Sequence, residues 1–176
     1  DAPGPAGGLH GFEHDLAELD TNVLVLRSAG YMDYLLAALP MIEAERVNGS
    51  AIGADARFPM VATRDVAREA ADRLRRRDFS GHEVALLLGP EDITMAFATG
   101  AIGARLGVPD LPYVQFPPAG VKEALIGAGM SEEVAGLVVD MQLAVSDGRY
   151  FEGVRRTPAS TTPTRLEDFL ATALPR

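Results

Sequence analysis

Two hydrophobic periods alternate along the chain. Leu9, Phe12, Leu16 and Leu19 recur at spacings of three and four, with Glu13, Asp15 and Glu18 between them, which predicts an amphipathic helix over residues 9–19. The pattern then changes. Val23, Leu24, Val25 and Leu26 form a continuous apolar run, which reads as a strand buried on both faces of a parallel sheet. That run ends at Arg27 and turns through Ser28, Ala29 and Gly30 into an aromatic-rich helix start, Tyr31-Met32-Asp33-Tyr34. A second helix is expected over residues 33–45, kinked near Pro40, followed by a polar loop through Asn48, Gly49 and Gly53 and a short strand at residues 58–62.

Thr63 is placed to cap a helix over residues 64–77, in which Val66, Ala67, Ala70, Ala71 and Leu74 give a close-packing stripe and Asp65 suits the positive end. Residues 83–88 repeat the apolar strand pattern. Thr94 then caps a helix over residues 95–106, which stops at Gly107 with Pro109 beyond. Helix and strand thus alternate, which predicts an α/β fold with a largely parallel sheet.

From Pro112 onward strands fade out. A short apolar piece at residues 113–116 and a Pro117-Pro118 break precede a helix over residues 119–128, and Ser131 caps a longer one to Ser146. Val134, Leu137, Val138, Met141 and Val145 form its apolar face, and Asp147-Gly148 ends it. Thr164 with Glu167 three residues later makes a capping box for a short last helix. Residues 112–176 are therefore expected to form a small helical cap on the sheet of residues 1–111, within one compact unit.

Composition narrows the function. The 176 residues suit one domain, and a net charge of −9 with Lys122 as the only lysine argues against nucleic acid as a partner. The basic cluster Arg73, Arg75, Arg76 and Arg77 reads as a helix terminus complementing the macrodipole. Without cysteine there are no disulfides, thiolate metal sites or cysteine nucleophile. The most apolar helical stretch, residues 34–42, is too short to span a bilayer and contains Pro40, so no membrane partner is expected and a cytoplasmic location is compatible. The Pro/Gly-rich opening DAPGPAGG, with no methionine, raises the expectation of a fragment.

Candidate chemistry centres on the turn after Arg27, because carboxyl ends of parallel strands are where open α/β sheets bind ligands. It offers a guanidinium, a glycine and the tyrosines Tyr31 and Tyr34; arginines and tyrosines at such places also serve as packing devices. His10 and Glu13 share a helix face, with His14 one position further, and could orient a proton donor or a cofactor hydroxyl or simply form a solvated surface. These three are too few ligands for a metal, and none is expected. Gly100, Gly103 and Gly107 fall inside and at the end of the helix begun by Thr94, so they do not form a phosphate-binding turn. Neither Tyr31, Tyr34, Tyr113 nor Tyr150 has a lysine four residues on, and no serine sits in a nucleophile elbow. No catalytic residue is assigned.

The order of GLHGFEHDL, VLVLRSAGYMDYLL, PMVATRDVAREAADRL, GHEVALLLGPEDITMA, LPYVQFP and TPTRLEDFL resembles that of the NmrA-like family. This family of atypical short-chain dehydrogenases includes NAD(P)H-dependent quinone and azo-compound reductases and redox-sensing regulators. The resemblance implies a partial Rossmann-like sheet, with residues 1–111 as the carboxyl-terminal part of an NAD(P)-binding domain and residues 112–176 as a substrate-side cap. It further implies that NADP or NAD is bound mainly by an amino-terminal glycine-rich segment lacking here. By the same resemblance His10, Glu13, Ala29 and Gly30 flank the cofactor, while Arg27, Tyr31, Met32 and Tyr34 border the substrate. Members usually carry a proline and often Phe-Met-Glu-Asn after the arginine; this chain has Ser28 and Tyr31-Met32-Asp33-Tyr34. The function implied is the substrate-side portion of an NAD(P)H-dependent oxidoreductase acting on a quinone-like or similar small acceptor. The alternative is a non-catalytic NAD(P)-sensing regulator acting through a protein partner, and a homo-oligomer is compatible with either.

Overall fold

The computed structural model describes residues 4–174. Helix α1 spans Ala6–Ala17 and leads into strand β1, Val23–Ser28. Strand β2, Gly30–Tyr31, opens a 3-10 helix, Met32–Ala38, which continues as α2, Leu39–Glu45. The expected single helix over 33–45 is thus two segments, the α-helical one beginning where Pro40 sits in its first turn and needs no hydrogen-bond partner. Then come β3 (Asn48–Ser50), β4 (Phe58–Val61), α3 (Thr63–Arg76), β5 (His82–Leu87), β6 (Asp92–Ile93) and α4 (Met95–Leu106). The remainder is β7 (Tyr113–Gln115), α5 (Pro118–Gly127), α6 (Glu132–Ser146), a 3-10 turn at Arg149–Phe151 and α7 (Leu166–Ala173).

The fold is α/β of Rossmann-like type, with its sheet broken into three short pieces. Strands β1 and β5 run parallel, with Val23 opposite His82 and Ser28 opposite Leu87. The chain then crosses at Ala29 to a second piece, in which β2 pairs with β4 in parallel and β4 with β6 antiparallel. A third piece pairs β3 with β7 in parallel, so the expected loop at residues 48–53 begins as a strand. One core joins both parts of the chain: Met32, Phe58, Met60, Ile93 and Ile102 pack with Val145, Leu166, Phe169 and Leu170.

Caps followed their local chemistry in two places and not in two others. Thr94 accepts from the Phe97 N–H and Ser131 from the Val134 N–H, as expected of side-chain oxygens at helix starts. Thr63, expected as a cap, is instead the first helical residue of α3 and donates its hydroxyl to Asp33 Oδ1 at 3.0 Å. The expected Thr164–Glu167 box does not form either. Arg165 holds the cap position of α7, while the Thr164 N–H donates to Asp65 Oδ2 at 3.0 Å and its hydroxyl accepts from Arg64. In both cases a carboxylate distant in sequence outcompeted the local bond.

The largest departure lies at the amino-terminal edge. Strand β1, expected to be buried on both faces, is only half-buried at Val23, Leu24, Val25 and Leu26 and exposed at Arg27. Its apolar residues are incompletely covered, and α1 turns the polar His10, Glu13 and His14 toward the β1–β5 pair. The apolar side chains here point away: Leu9 and Phe12 on α1 are 65% and 68% exposed, and Leu19, expected within the helix but lying beyond its end at Ala17, is 51% exposed.

Candidate functional site

The residues around the turn after β1 fall into two groups. The first is an ion pair: Arg27 Nε donates to both Glu13 carboxylate oxygens at 3.0 and 3.1 Å, and a terminal guanidinium nitrogen also contacts Oε2. This bidentate pair ties α1 to the carboxyl end of β1. Arg27 holds the Glu13 carboxyl below its ordinary value, and Glu13 raises the Arg27 guanidinium in turn. His10 and Glu13 line a cleft of about 240 Å³ between α1 and the β1–β5 pair, together with His14, Val23, Val25, His82, Glu83 and Val84. All three histidines of the chain border it. Among the described residues no group of three or more histidines and carboxylates stands close enough to hold a metal ion.

The second group is aromatic. The Tyr31 and Tyr34 rings lie 5.6 Å apart and tilted by 47°, and the Ser28 hydroxyl donates to the Tyr31 oxygen at 2.9 Å. That bond leaves the Tyr31 phenolic proton available to an acceptor. Asp33, between the tyrosines, accepts from the Thr63 hydroxyl and backbone, so the tyrosine-bearing 3-10 helix is pinned to the start of α3. Ala29 is buried and donates its N–H to the Leu87 carbonyl, which fixes the turn to the end of β5. At Gly30 an added Cβ would make ordinary van der Waals contact, with Met60 Cε at 3.9 Å and the Pro59 carbonyl oxygen at 4.0 Å. Met32 points the other way and is 2% exposed, part of the core.

Sequence reasoning missed the contribution of the cap. Phe151, in the 3-10 turn Arg149–Phe151, packs against the same small buried cluster as Tyr31, formed by Ala29, Val61 and Leu88. Tyr150 stacks edge-on against Phe151 at 5.0 Å, and burial, with the neighbouring Tyr34 second, pushes its phenol above the ordinary value. At neutral pH this group is therefore a protonated donor. No periodicity marks Tyr150, which follows the left-handed Gly148 in irregular chain. A wider, open depression of about 610 Å³ lies elsewhere, lined by Pro90, Arg156, Thr157 and Thr161 among others. Its guanidinium is committed to the Gly89 carbonyl and Asp92. Gly89 itself is a packing glycine, since a Cβ there would sit 2.0 Å from the Met60 carbonyl oxygen.

The turn therefore sits where a strand of a parallel α/β sheet ends, with the Tyr31 and Tyr34 rings beside each other and the Tyr150–Phe151 pair packed on the same buried cluster as Tyr31. Comparison with known proteins bears on the fold alone. No family model matches the chain, and no curated protein matches it significantly. Solved structures do. The chain is similar to a new type of NADPH-dependent quinone oxidoreductase from Escherichia coli, with 21% identity, a TM-score of 0.80, and 98% of this chain and 62% of that one covered. The same enzyme complexed with NADPH superposes equally, with a TM-score of 0.80. NmrA, a negative transcriptional regulator in complex with NADP, shows a TM-score of 0.54 at 16% identity, covering 97% of this chain and 58% of that one. A nucleoside-diphosphate-sugar epimerase from Staphylococcus aureus lies between them, at 0.64 and 18% identity, covering 94% of this chain and 57% of that one. The chain spans about three fifths of the length of these proteins.

Proposed function

We propose that this chain is the substrate-side portion of an NmrA-like NAD(P)H-dependent oxidoreductase acting on a quinone-like small acceptor. The observation that carries the reading is the TM-score of 0.80 over 98% of the chain to an NADPH-dependent quinone oxidoreductase. The aromatic turn agrees with it: rings of Tyr31, Tyr34 and Tyr150 favour a planar ligand, and their phenols suit an oxygen that gains a proton on reduction.

The residues fit a nicotinamide dinucleotide in part. Among the described residues no glycine-rich turn follows a strand and opens a helix, and Gly103, the middle glycine of the row at α4, is packed against the Val108 carbonyl. A pyrophosphate therefore has no cradle here. Gly30, without a side chain, would let a flat ring approach the turn at Ala29 and Gly30, while His10 and Glu13 line the α1 cleft beside the amino-terminal half of β1. When bound, the cofactor would supply hydride. Tyr31, kept as a donor by Ser28, would protonate the acceptor oxygen, Tyr34 and Tyr150 would wall it, and Met32 would support the turn from the core. Arg27, neutralised by Glu13, would position α1 against that wall.

The test is NADPH consumption by the intact protein with a panel of quinones. Turnover that falls about a hundredfold or more in Tyr31→Phe, with unchanged thermal midpoint, is the expected outcome, since general acid catalysis contributes roughly 10²–10⁴-fold. The fold shared with NmrA favours a second reading, an NAD(P)-sensing regulator with a protein partner. NADPH binding with no consumption by any acceptor would select it.

A further inference from the structure

Gly4 joins the amino-terminal end of the described chain to the helical cap. Its φ of +69° lies in the left-handed region that favours glycine. A Cβ added there would stand 2.7 Å from Met141 Cβ and 2.8 Å from the Leu137 carbonyl oxygen, both on α6. Torsion and space therefore both call for glycine, and the main chain at residue 4 rests directly on the backbone of α6. The Gly4 carbonyl also accepts from the Gly7 N–H at 3.2 Å, which ties this strap to the first turn of α1.

The strap lies at the end of the sheet that carries the aromatic turn. Ala17 shares a cleft with Val23 while Glu13 reaches Arg27, so α1 runs back along β1. At about 1.5 Å per residue its start at Ala6 lies about 10 Å beyond Glu13, past the carboxyl end of the strand. A closed circuit of contacts results. Gly4 meets α6, and α6 leads through Asp147-Gly148 into the turn bearing Tyr150 and Phe151. Phe151 shares its buried cluster with Tyr31, and the Arg27–Glu13 pair returns the path to α1. Tyr31, Tyr34 and Tyr150, assigned above to the acceptor, all stand on that circuit.

We propose that Gly4 is a specificity-determining residue: its seat on α6 fixes how far the strap stands from the aromatic turn and so restricts the acceptor to narrow, one- or two-ring quinones. The inference rests on the reading above, that the intact protein reduces a quinone-like acceptor. Any side chain at position 4 must lift the strap or displace α6, and either movement lengthens the circuit around the acceptor. Gly8 gives the contrast, since on the same helix α1 a Cβ added there meets nothing within 4 Å.

The test is NADPH consumption by the intact protein with benzoquinone, naphthoquinone and phenanthrenequinone, in wild type, Gly4→Ala and Gly8→Ala. Wild type should favour the two smaller acceptors. A methylene-sized change in a pocket wall shifts discrimination by about tenfold or more, so Gly4→Ala should raise the kcat/KM ratio of phenanthrenequinone to benzoquinone by about tenfold, chiefly through KM. Gly8→Ala should leave that ratio where it was. A ratio between acceptors cancels the fraction of active enzyme, so a variant that merely folds less well returns the wild-type value. An unmoved ratio in Gly4→Ala, an equal shift in Gly8→Ala, or a wild type that already prefers phenanthrenequinone would overturn the proposal. Consumption with none of the quinones would remove the oxidoreductase reading and the gate with it; turnover with an unmoved ratio removes the gate alone.

Discussion

Asp65 offers a direct measure of how far the two ends of the chain depend on each other. Its carboxylate is 4% exposed in the first turn of α3, and Oδ2 accepts from the Thr164 N–H, 99 residues away. Replacement by alanine removes a hydrogen bond to a charged acceptor, about 1.5–3 kcal/mol, and leaves a donor unsatisfied at a residue 7% exposed. It also removes a negative charge from a helix N-terminus, about 0.5 kcal/mol. Against this, Oδ1 is buried without a partner in the native protein, and deleting it returns about 1 kcal/mol. Asp65→Ala should therefore cost about 2 kcal/mol net, a fall in thermal midpoint of about 4–8 °C for a chain of this size. Asp65→Asn keeps an acceptor for Thr164 and should cost about half as much. Urea unfolding with an unchanged slope is the assay. An alanine variant within about 0.5 kcal/mol of wild type, or an asparagine variant as unstable as alanine, would refute the argument, since stability would then not flow through this bond.

Two further sites give predictions of opposite kinds. In α4, Gly103→Ala would bring a Cβ within 2.4 Å of the Val108 carbonyl and 2.8 Å of Leu111, so thermal unfolding should show a loss of about 2 kcal/mol. Gly100→Ala in the same helix meets nothing within 4 Å and should instead stabilise by about 0.5–1 kcal/mol; equal effects at the two positions would contradict the packing described. The Glu13–Arg27 pair predicts a pH dependence. Because the folded Glu13 value is depressed below 4.5, its contribution is complete above that pH and disappears as pH falls through the depressed value. With both side chains partly exposed the pair is worth only about 0.5 kcal/mol. The urea midpoint difference between wild type and Arg27→Gln should be present at about pH 6 and vanish in acid; a difference that grows below the Glu13 range would reverse the sign assigned here.

Much of the candidate site was legible as a place and little of it as a set of contacts. The Arg27-to-Tyr34 turn stood out because a continuous apolar run gives way to polar and aromatic residues, and the structure does put Tyr31 and Tyr34 ring to ring. What the run could not convey was the ion pair with Glu13, because helix periodicity placed Glu13 on a face without saying what that face meets. Met32 looked like its neighbours in the turn, yet a 3-10 helix rotates successive side chains by more than an α-helix does and sends Met32 into the core. Tyr150 was invisible for a simpler reason: it lies in a three-residue turn whose position is set by α6 and by Phe151 packing, not by any repeat.

By itself the sequence determined the kinds of element and several of their ends. Apolar runs made strands, spaced apolar residues made helices, and Thr94, Ser131 and Gly107 ended or began them through bonds and torsions reaching at most a few residues. Tertiary structure alone decided that the parallel sheet would break into three pieces, that Thr63 would serve Asp33, and that Thr164 would answer to Asp65 instead of to Glu167. The physical reason is range. A cap or a turn is settled by neighbours along the chain, whereas the choice between two possible hydrogen-bond partners depends on which of them burial brings close, and that is known only once the core has closed.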